Sequence, residues 1–523
     1  AFLPRAIYPV SRPLQWYFRS AQFFQAVMGG DWAGTLFSEH PGVMVMWLSG
    51  GTLWGWYGLQ SLLELHPPAP LETEGYAFAD RVAVGVLPLA LVISLGIVWG
   101  WFLLRRLFGF RAAWAIALLW ALDPFYLANS KVLHLDATLS TLMLLSALLL
   151  LAYLSKGRRL HLLLSAALGG LALLTKVSAL FLLPFTALAL LASSLGRRMF
   201  NARSVICNFL VWCLIASLVF LLLWPAMWVR PGDCFDRVVR QGILRHAGGA
   251  RDQPILYRGR PGWYDPGPRF YLDVLLYRST LLSLSFAPLG LVVGLCRRKD
   301  SRAVGLLAAF GGFYFLQMSL GAWKDGRYML PVLLLLDLLA GYGLSWWLAR
   351  VSTRRLGQLA LAGGMIALQA AVVLPRHPYY GTHYNVLLGG ARGAVRVFPL
   401  ADFGEGLDLA ARYVDGLPDA GEYTVGTQFL ANEMVAQHVR APVQDVAGVG
   451  DDVDVLIFGV QYTVRGRDYP RWGALWEATY KFREPEFVVS FDGFPYAWVH
   501  RPGAEPILPH RTDIRLGESV RLV

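Results

Sequence analysis

Residues 82–104 read VAVGVLPLALVISLGIVWGWFLL, and Arg105 and Arg106 follow at once. An apolar run of about 20 residues can cross the ~30 Å hydrocarbon core of a bilayer as one helix. Nine more such runs lie at 112–128, 136–154, 160–174, 177–194, 204–227, 279–296, 303–321, 328–349 and 358–375. The 523 residues are 56% hydrophobic and 16% charged, with a mean hydropathy of +0.46. These features predict a polytopic α-helical membrane protein with ten visible spans.

Basic residues cluster in every second connection between these runs. The clusters are Arg105, Arg106 and Arg111; Lys156, Arg158 and Arg159; Arg197, Arg198 and Arg203; Arg297, Arg298, Lys299 and Arg302; and Arg350, Arg354 and Arg355. The positive-inside rule places them in the cytoplasm. We therefore expect a multi-pass protein of the plasma (inner) membrane, with an eleventh helix upstream of Ala1. The clusters explain much of the net charge of +12, so this charge does not indicate a nucleic-acid partner.

The same orientation divides the chain into two predicted domains. Residues 1–375 form the transmembrane domain, with an outer loop at 1–80 and a long outer loop at 228–276. Within the first loop, residues 41–64 are apolar but glycine-rich, and we interpret them as broken interfacial helices. Residues 376–523 are less apolar and are predicted to form a small extracytoplasmic α/β domain.

Short patterns within residues 376–523 support that fold class. The stretches EYTVGT and DVDVLIFGV are typical of strands, whereas GEGLDLAARYV, FLANEMVAQHV and RWGALWEATYKF are typical of helices. The stretch FVVSFDGFPYAWVHR predicts a hairpin with an Asp-Gly turn. No GxGxxG or Walker A motif occurs, which argues against a nucleotide site. The four cysteines show no paired spacing, so we expect neither disulfides nor a zinc site.

Several cations lie at the outer membrane edge, against the charge rule. They are Lys131, Lys176, Arg230, Lys324 and Arg327. Cations gathered at headgroup depth suit an anionic ligand such as a lipid phosphate. The alternative is that they extend to the interface and pair with nearby acids such as Asp325.

Two acids are candidates for general-base catalysis on an acceptor hydroxyl or amine. Glu39 stands before Pro41 at a predicted helix start, and Asp136 stands where a predicted outer loop enters a helix. Either acid could instead cap its helix. His40 and His134 adjoin these acids, and each could bind phosphate or hold its neighbouring acid in place. No ligand set indicates a cofactor, although a divalent metal beside two acids is compatible with the pattern.

These segments together resemble integral-membrane C-type glycosyltransferases of the protein O-mannosyltransferase and aminoarabinose-transferase (ArnT-like) group. The resemblance rests on GDWAGTLFSEHPGVMVMW, DPFYLANSKVLHLDATLS, GLALLTKVSALFLLP, WPAMWVRP and KDGRYMLP, and it spans roughly residues 1–350. It implies transfer of a sugar from a polyprenyl-phosphate donor to an acceptor on the outer face, with membrane lipid around the donor tail.

The resemblance also suggests roles for individual residues. Glu39 matches the acid of the first-loop motif, and Asp136 matches that of the second outer loop. His40, Arg230 and Arg327, with Lys324, match or adjoin the donor-phosphate positions, and Lys131, His134 and Lys176 are further candidates. Relatives usually carry an Asp just after the first helix, whereas this chain reads YPVSRPLQWYFRS there and has no acid.

That departure keeps two alternatives open. The chain could be a transferase fold that has lost its base and serves as a subunit of a membrane or envelope assembly. It could also be a transporter, but the sequence shows no clear internal repeat. The sugar, the acceptor and the oligomeric state are not encoded in any pattern that we recognise.

Overall fold

A computed structural model describes residues 1–6, 15–63, 78–195, 201–245, 247–248, 255–351, 354–400, 404–427, 429–446, 453–460, 484–501 and 510–513. The α-helices are α1 Leu3–Ala6, α2 Gln15–Met28, α3 Val43–Leu62, α4 Phe78–Phe108, α5 Phe110–Leu122, α6 Pro124–Ser130, α7 Asp136–Lys156, α8 Arg159–Thr175, α9 Leu182–Leu195, α10 Ala202–Leu223, α11 Ala226–Val229, α12 Pro231–Asp236, α13 Arg269–Arg278, α14 Leu281–Cys296, α15 Ser301–Leu320, α16 Leu330–Val351, α17 Arg355–Val373, α18 Gly390–Ala394, α19 Leu407–Asp415 and α20 Phe429–Ala436.

Shorter elements connect them. A π-helix covers Arg237–Arg245, and 3₁₀ turns cover Ala33–Thr35, Val177–Phe181, Gly326–Met329, Leu374–Arg376, Tyr380–Thr382, Val386–Leu388 and Ala420–Glu422. The strands are β1 Ile255–Tyr257, β2 Arg260–Gly262, β3 Val425–Thr427, β4 Val443–Asp445, β5 Val455–Gly459, β6 Phe487–Phe491, β7 Phe494–His500 and β8 His510–Asp513.

Each of the ten apolar runs lies in a helix or a broken pair of helices. Within the described ranges, seven helices are long and apolar enough to cross a membrane, and two bent pairs raise the number to nine. The remaining run, 160–174, forms α8, which has only 17 residues. The protein is therefore a multi-pass helical membrane protein.

The break within the second run has a local cause. Pro124 cannot donate a backbone hydrogen bond, and the carboxylate of Asp123 accepts one from the Tyr126 N–H at 2.6 Å. Asp123 thus starts α6 as a new helix, bent by 57° from α5. The sequence analysis did not foresee this bend.

The expectation of broken interfacial helices at 41–64 needs a correction. Residues Val43–Leu62 form one continuous 20-residue helix, α3. Its glycines do not interrupt it but allow α2 to approach closely, since a Cβ at Gly50 would collide with the Ser20 carbonyl oxygen. Small residues serve the same purpose wherever helices cross at short range.

The centre of the bundle is α7, which is buried along nearly its whole length. Around it, α14 and α16 cross closely because Gly290 and Gly343 face each other's backbones. Gly341 likewise allows α16 to approach Ile116 of α5. By contrast, α10 and α17 expose most of their apolar surface, as lipid-facing helices do.

The C-terminal part contains a six-stranded mixed sheet in the order β4-β3-β5-β7-β6-β8. Strands β3, β4 and β5 are parallel, whereas β7 is antiparallel to both β5 and β6. The predicted hairpin is confirmed, and its turn residues Asp492 and Gly493 both have positive φ. The predicted strands in EYTVGT and DVDVLIFGV and the predicted helices in GEGLDLAARYV and FLANEMVAQHV are also confirmed, whereas RWGALWEATYKF falls outside the described residues.

A buried arginine connects the bundle to the C-terminal part. Arg278, at the end of α13, donates hydrogen bonds to the carbonyl oxygens of Gly381 and His383 and to the Tyr384 hydroxyl. Its guanidinium also lies 4.8 Å from the centre of the Phe125 ring. The segment that leaves α17 is therefore fixed against the ends of α6 and α13.

Candidate active site

Asp136 is the first residue of α7 and is almost completely buried. The N-cap position belongs to Leu135, without a side-chain capping bond, so Asp136 does not take the capping role that was the alternative. Its carboxylate instead faces cations: Oδ1 lies 2.7 Å from Lys176 Nζ, and Oδ2 lies 3.4 Å from Arg327 Nε. A carboxylate buried at this depth is tolerated because it is ion-paired.

His134 bridges the acid and the arginine. Its Nδ1 lies 3.0 Å from Asp136 Oδ2, and its Nε2 lies 2.9 Å from an Arg327 amino group. A guanidinium can only donate hydrogen bonds, so Nε2 must accept. The other ring nitrogen, Nδ1, faces the Asp136 carboxylate. We call Asp136, His134, Lys176 and Arg327 the Asp136 cluster.

Three separate helix ends bring these residues together. Asp136 begins α7, Lys176 directly follows α8, and Arg327 lies in the 3₁₀ turn that precedes α16. The Lys176 ammonium also lies 4.0 Å from the centre of the Tyr328 ring, a cation–π contact. The cluster thus concentrates two potential phosphate-binding cations, Lys176 and Arg327, around one carboxylate.

A second ion pair adjoins the cluster. Arg327 Nε lies 3.0 Å from Asp325 Oδ2, as the pairing alternative anticipated. Lys324 Nζ contacts Asp265 of the long outer loop at 2.7 Å and the Gly321 carbonyl oxygen at 2.5 Å. Lys324 thus ties that loop to the start of the 3₁₀ turn rather than pairing with Asp136.

Glu39 and His40 form the turn before α3. The Ser38 hydroxyl donates to Glu39 Oε2 at 3.2 Å. Burial lowers the pKa of Arg19, and the negative charge of Glu39 opposes that shift. The half-buried Glu39 side chain therefore lies in the field of Arg19 and makes no direct contact with Asp136 in the described part of the chain.

Backbone and aromatic contacts nevertheless place this turn beside the Asp136 cluster. The Gly42 N–H donates to the Thr175 carbonyl oxygen at 3.1 Å, one residue before Lys176. Trp16 fills the space that a Cβ at Gly42 would occupy, and its ring meets His134 edge-on at 6.3 Å. Trp16 therefore lies between the Glu39 turn and the cluster, with its ring close to both Gly42 and His134.

Two candidate cations lie elsewhere. Lys131 is fully buried and donates to the Pro4 carbonyl oxygen at 3.1 Å. Burial, with a smaller contribution from Arg5, lowers the pKa of Lys131 from 10.5 to about 7. Arg230 follows α11, is exposed, and has no ion pair with any described residue.

Sequence reasoning missed two aromatic members of the site, Trp16 and Tyr328. Tyr328 stands inside the quoted KDGRYMLP motif, and its place next to Arg327 was the available signal. No signal indicated Trp16, because its contacts depend on how α2 folds back over α3. Among the residues that the structure describes, no three His, Cys, Asp or Glu side chains are grouped to hold a metal ion.

One family model matches part of the chain. Residues 77–224 match the family model of dolichyl-phosphate-mannose-protein mannosyltransferases. The resemblance to the protein O-mannosyltransferase group is thereby confirmed, and the matched segment contains Asp136, His134 and Lys176. The mannosyltransferase match points to a membrane glycosyltransferase. No curated protein sequence matches the chain.

Solved structures of membrane glycosyltransferases are also similar to this chain. ArnT from Cupriavidus metallidurans bound to undecaprenyl phosphate is 15% identical, with 95% of each chain covered and a TM-score of 0.49. The apo oligosaccharyltransferase of Archaeoglobus fulgidus is 12% identical, with 96% of this chain and 72% of that chain covered and a TM-score of 0.49. The archaeal oligosaccharyltransferase AglB from Archaeoglobus fulgidus is 12% identical, with 88% of this chain and 67% of that chain covered and a TM-score of 0.47. That structure is in complex with an inhibitory peptide and a dolichol-phosphate.

Proposed function

We propose that this chain transfers a sugar from a polyprenyl-phosphate donor to a lipid, glycan or protein acceptor at the outer face of the plasma (inner) membrane. The observation that carries the proposal is the Asp136 cluster, in which Asp136, Lys176 and Arg327 come together from three helix ends. Cations that are already positioned and partly desolvated bind a phosphate more strongly than mobile surface cations do.

In the proposed reaction, the bond between the anomeric carbon and the phosphate oxygen breaks, and a bond from the acceptor to that carbon forms. The phosphate leaves with its negative charge, which Lys176 and Arg327 would stabilise. The acceptor loses a proton to a general base. Stabilisation of the charge that develops on the leaving phosphate is often the largest single contribution of an active site to the reaction rate.

Glu39 is the better candidate for that base. Both oxygens of Asp136 are occupied by cationic partners at 2.7 and 3.4 Å, so its function would be to position Lys176 and Arg327. Glu39 is half-buried, and Ser38 is its one hydrogen-bond partner in the described residues. A general base needs a carboxylate that can reach an incoming acceptor.

The test is transfer of label from a radiolabelled polyprenyl-phosphate sugar pool into membrane acceptors. Wild type is compared with Glu39→Gln and Asp136→Asn at matched amounts of folded protein. Asp300→Asn is the control. Asp300 is also buried, and it accepts a hydrogen bond from the Tyr342 hydroxyl at 2.7 Å, but it lies among the basic residues at the other end of the bundle.

Loss of transfer in Glu39→Gln, with Asp300→Asn unchanged, supports the assignment of the base. If Glu39→Gln retains full transfer, Glu39 is not the base. If the folded wild type transfers nothing from any donor pool, the chain is instead a transferase fold that serves as a subunit of a membrane or envelope assembly.

A further inference from the structure

The start of α8 gathers cations that the helix itself disfavours. Its N-cap residue is Arg158, no side-chain hydrogen bond caps the helix, and no acid stands in its first turn. A guanidinium can only donate hydrogen bonds, so Arg158 cannot satisfy the backbone N–H groups of that turn. A helix N-terminus carries partial positive charge, which attracts an anion and repels a cation. This end of α8 therefore combines hydrogen-bond donors with positive charge.

His161, in the first turn of α8, also indicates a ligand at this position. Only 7% of the residue is exposed, and its Nδ1 is buried with no hydrogen-bond partner in the described part of the chain. Because a buried N–H without an acceptor is costly, the proton belongs on Nε2, the ring nitrogen that is not enclosed. The positive charges of Arg106, Arg158 and Lys156 all act on this ring. His161 thus presents a donor where three cations converge.

The described parts of the protein do not neutralise these charges. Arg106 and Lys156 lie in the last turns of α4 and α7. Neither they nor Arg158 form an ion pair with any residue that the structure describes. The sequence has no Asp or Glu between Asp136 and Asp233, so α8, α9 and α10 carry no acid. An anion that binds from outside would supply the missing negative charge.

The start of α8 also lies on a different surface from the first residues of the chain. Residues 1–6 pack against α4 and α6, and Arg5 donates to the carbonyl oxygens of Trp120 and Ala121 at the end of α5. In contrast, α8 packs mainly against α7 and α10. Its first turn lies at the other end of the bundle, beside the basic last turns of α4 and α7.

The length of α8 places this turn at the depth of lipid phosphates. Its 17 residues span about 26 Å at 1.5 Å per residue, whereas the hydrocarbon core is ~30 Å thick. The helix ends directly before Lys176 of the Asp136 cluster. Its first turn therefore reaches the headgroup layer on the opposite side, which the positive-inside rule assigns to the cytoplasm.

We propose that the first turn of α8, together with His161, Arg106 and Lys156, binds a phosphate group. The phosphate belongs either to the headgroup of an inner-leaflet lipid or to free phosphate, and the depth of the turn favours the lipid. The backbone N–H groups and His161 Nε2 would donate to the phosphate oxygens, as helix N-termini do in other phosphate sites. The proposal does not depend on the proposed transfer reaction, because the Asp136 cluster lies at the opposite ends of α7 and α8.

Two adjacent arginines allow a matched test. Arg105 and Arg106 are both exposed in the last turn of α4. Arg105 lies over the rings of Trp101 and Phe110, whereas the charge of Arg106 acts on His161. Arg106→Ala should therefore weaken phosphate binding, and Arg105→Ala should not.

Arg158→Asp supplies the site with an anion of its own. The backbone of Arg158 is extended, as an N-cap requires, so an Asp there can accept hydrogen bonds from the first turn. This variant should lose phosphate binding while its Tm, measured without anionic lipid, stays at or above that of wild type. A loss of binding in a stable protein separates the site from a folding defect.

Native mass spectrometry of the purified full chain measures the lipid retained after exchange into equal amounts of phosphatidic acid and phosphatidylcholine. We expect wild type and Arg105→Ala to retain one phosphatidic acid in preference. Arg106→Ala should reduce this preference about fivefold, the effect of one basic residue beside an anionic headgroup, and Arg158→Asp should remove it. In a second experiment, inorganic phosphate replaces chloride at equal ionic strength in detergent without anionic lipid, and Tm is followed.

The outcomes distinguish the two sources of phosphate. A preference for phosphatidic acid that Arg106→Ala weakens and Arg105→Ala preserves supports a lipid headgroup. A rise of Tm with inorganic phosphate in wild type, absent in Arg158→Asp and without any lipid preference, supports free phosphate at the same site. Equal losses in the two alanine variants would overturn the proposal, because diffuse positive charge would then explain the binding. A wild type without either response, or an Arg158→Asp variant that keeps the response, would overturn it as well.

Discussion

Replacing Asp136 by Asn should destabilise the protein by about 3–5 kcal/mol, the cost of removing one partner from a buried ion pair. At 2.7 Å, the Asp136–Lys176 attraction alone is about 6 kcal/mol at an effective dielectric constant of about 20. Desolvation of both groups offsets part of this attraction. Without the carboxylate, Lys176 stays buried, with only 4% of its surface exposed, and loses its hydrogen-bonded counter-ion, while Asp325 remains paired with Arg327.

Lys176→Met should cost less than Asp136→Asn. In that variant Asp136 keeps His134 at 3.0 Å and Arg327 at 3.4 Å, so its charge remains paired. In the double variant Asp136→Asn with Lys176→Met, neither member of the pair remains as a buried charge. We expect it to recover about 2 kcal/mol relative to the sum of the single variants, within the range for residues in direct contact.

The assay is thermal unfolding of the purified protein in one detergent at one scan rate, because irreversible unfolding makes apparent Tm values comparable only under identical conditions. Asp273→Asn is the control. Asp273 pairs with Arg258 at 2.7 Å, but 39% of the Arg258 side chain is exposed, so water replaces much of the lost interaction. An Asp136→Asn variant no less stable than Asp273→Asn, or a double variant that shows strict additivity, would refute the view that the cluster is held by buried charge pairing.

Three further expectations follow from single contacts. Gly242→Ala should lower transfer activity more than thermal stability, because its Cβ would lie 2.6 Å from the Glu39 carbonyl oxygen and displace the proposed base. Activity equal to wild type at equal protein level would show that the position of the Glu39 turn is not critical. The free energy of unfolding of wild type should rise by up to about 1.4 kcal/mol per pH unit between pH 7 and 10. Burial depresses the pKa of Lys131 to about 7 in the folded protein, so the unfolded chain binds more protons in this range. Lys131→Met should lack this part of the slope in Tm measured against pH, and an identical slope in both proteins would contradict the depressed pKa. Arg278→Met should expose the segment around Gly381 to limited proteolysis, since its two carbonyl contacts are lost; unchanged cleavage rates would mean that other contacts hold this segment.

Much of the helical fold could be predicted from hydropathy, because lipid imposes long apolar helices. The exceptions are local. The bend at Asp123 depends on a proline next to a capping carboxylate, which a hydropathy average cannot detect. In α3, Gly50 allows the backbone of α2 to pack closely against an unbroken helix. The sequence alone cannot reveal this packing, because a glycine is equally compatible with a break in a helix.

The candidate site could be predicted only in part. The sequence indicates that Asp136, Lys176 and Arg327 each lie at the outer membrane edge, and the structure brings these three together. It does not bring Lys131 or Arg230 to them. Which helix ends meet is decided by packing in the middle of the bundle, and a charge at the edge of a span carries no information about that packing.

The location of the cluster at three helix ends also makes it sensitive to membrane thickness. Helices respond to a thicker or thinner bilayer by tilting or sliding against one another. A slide of one residue along α8 moves Lys176 by about 1.5 Å relative to α7, enough to stretch a 2.7 Å ion pair out of hydrogen-bonding range. The distances between these charges therefore depend on the thickness of the surrounding bilayer.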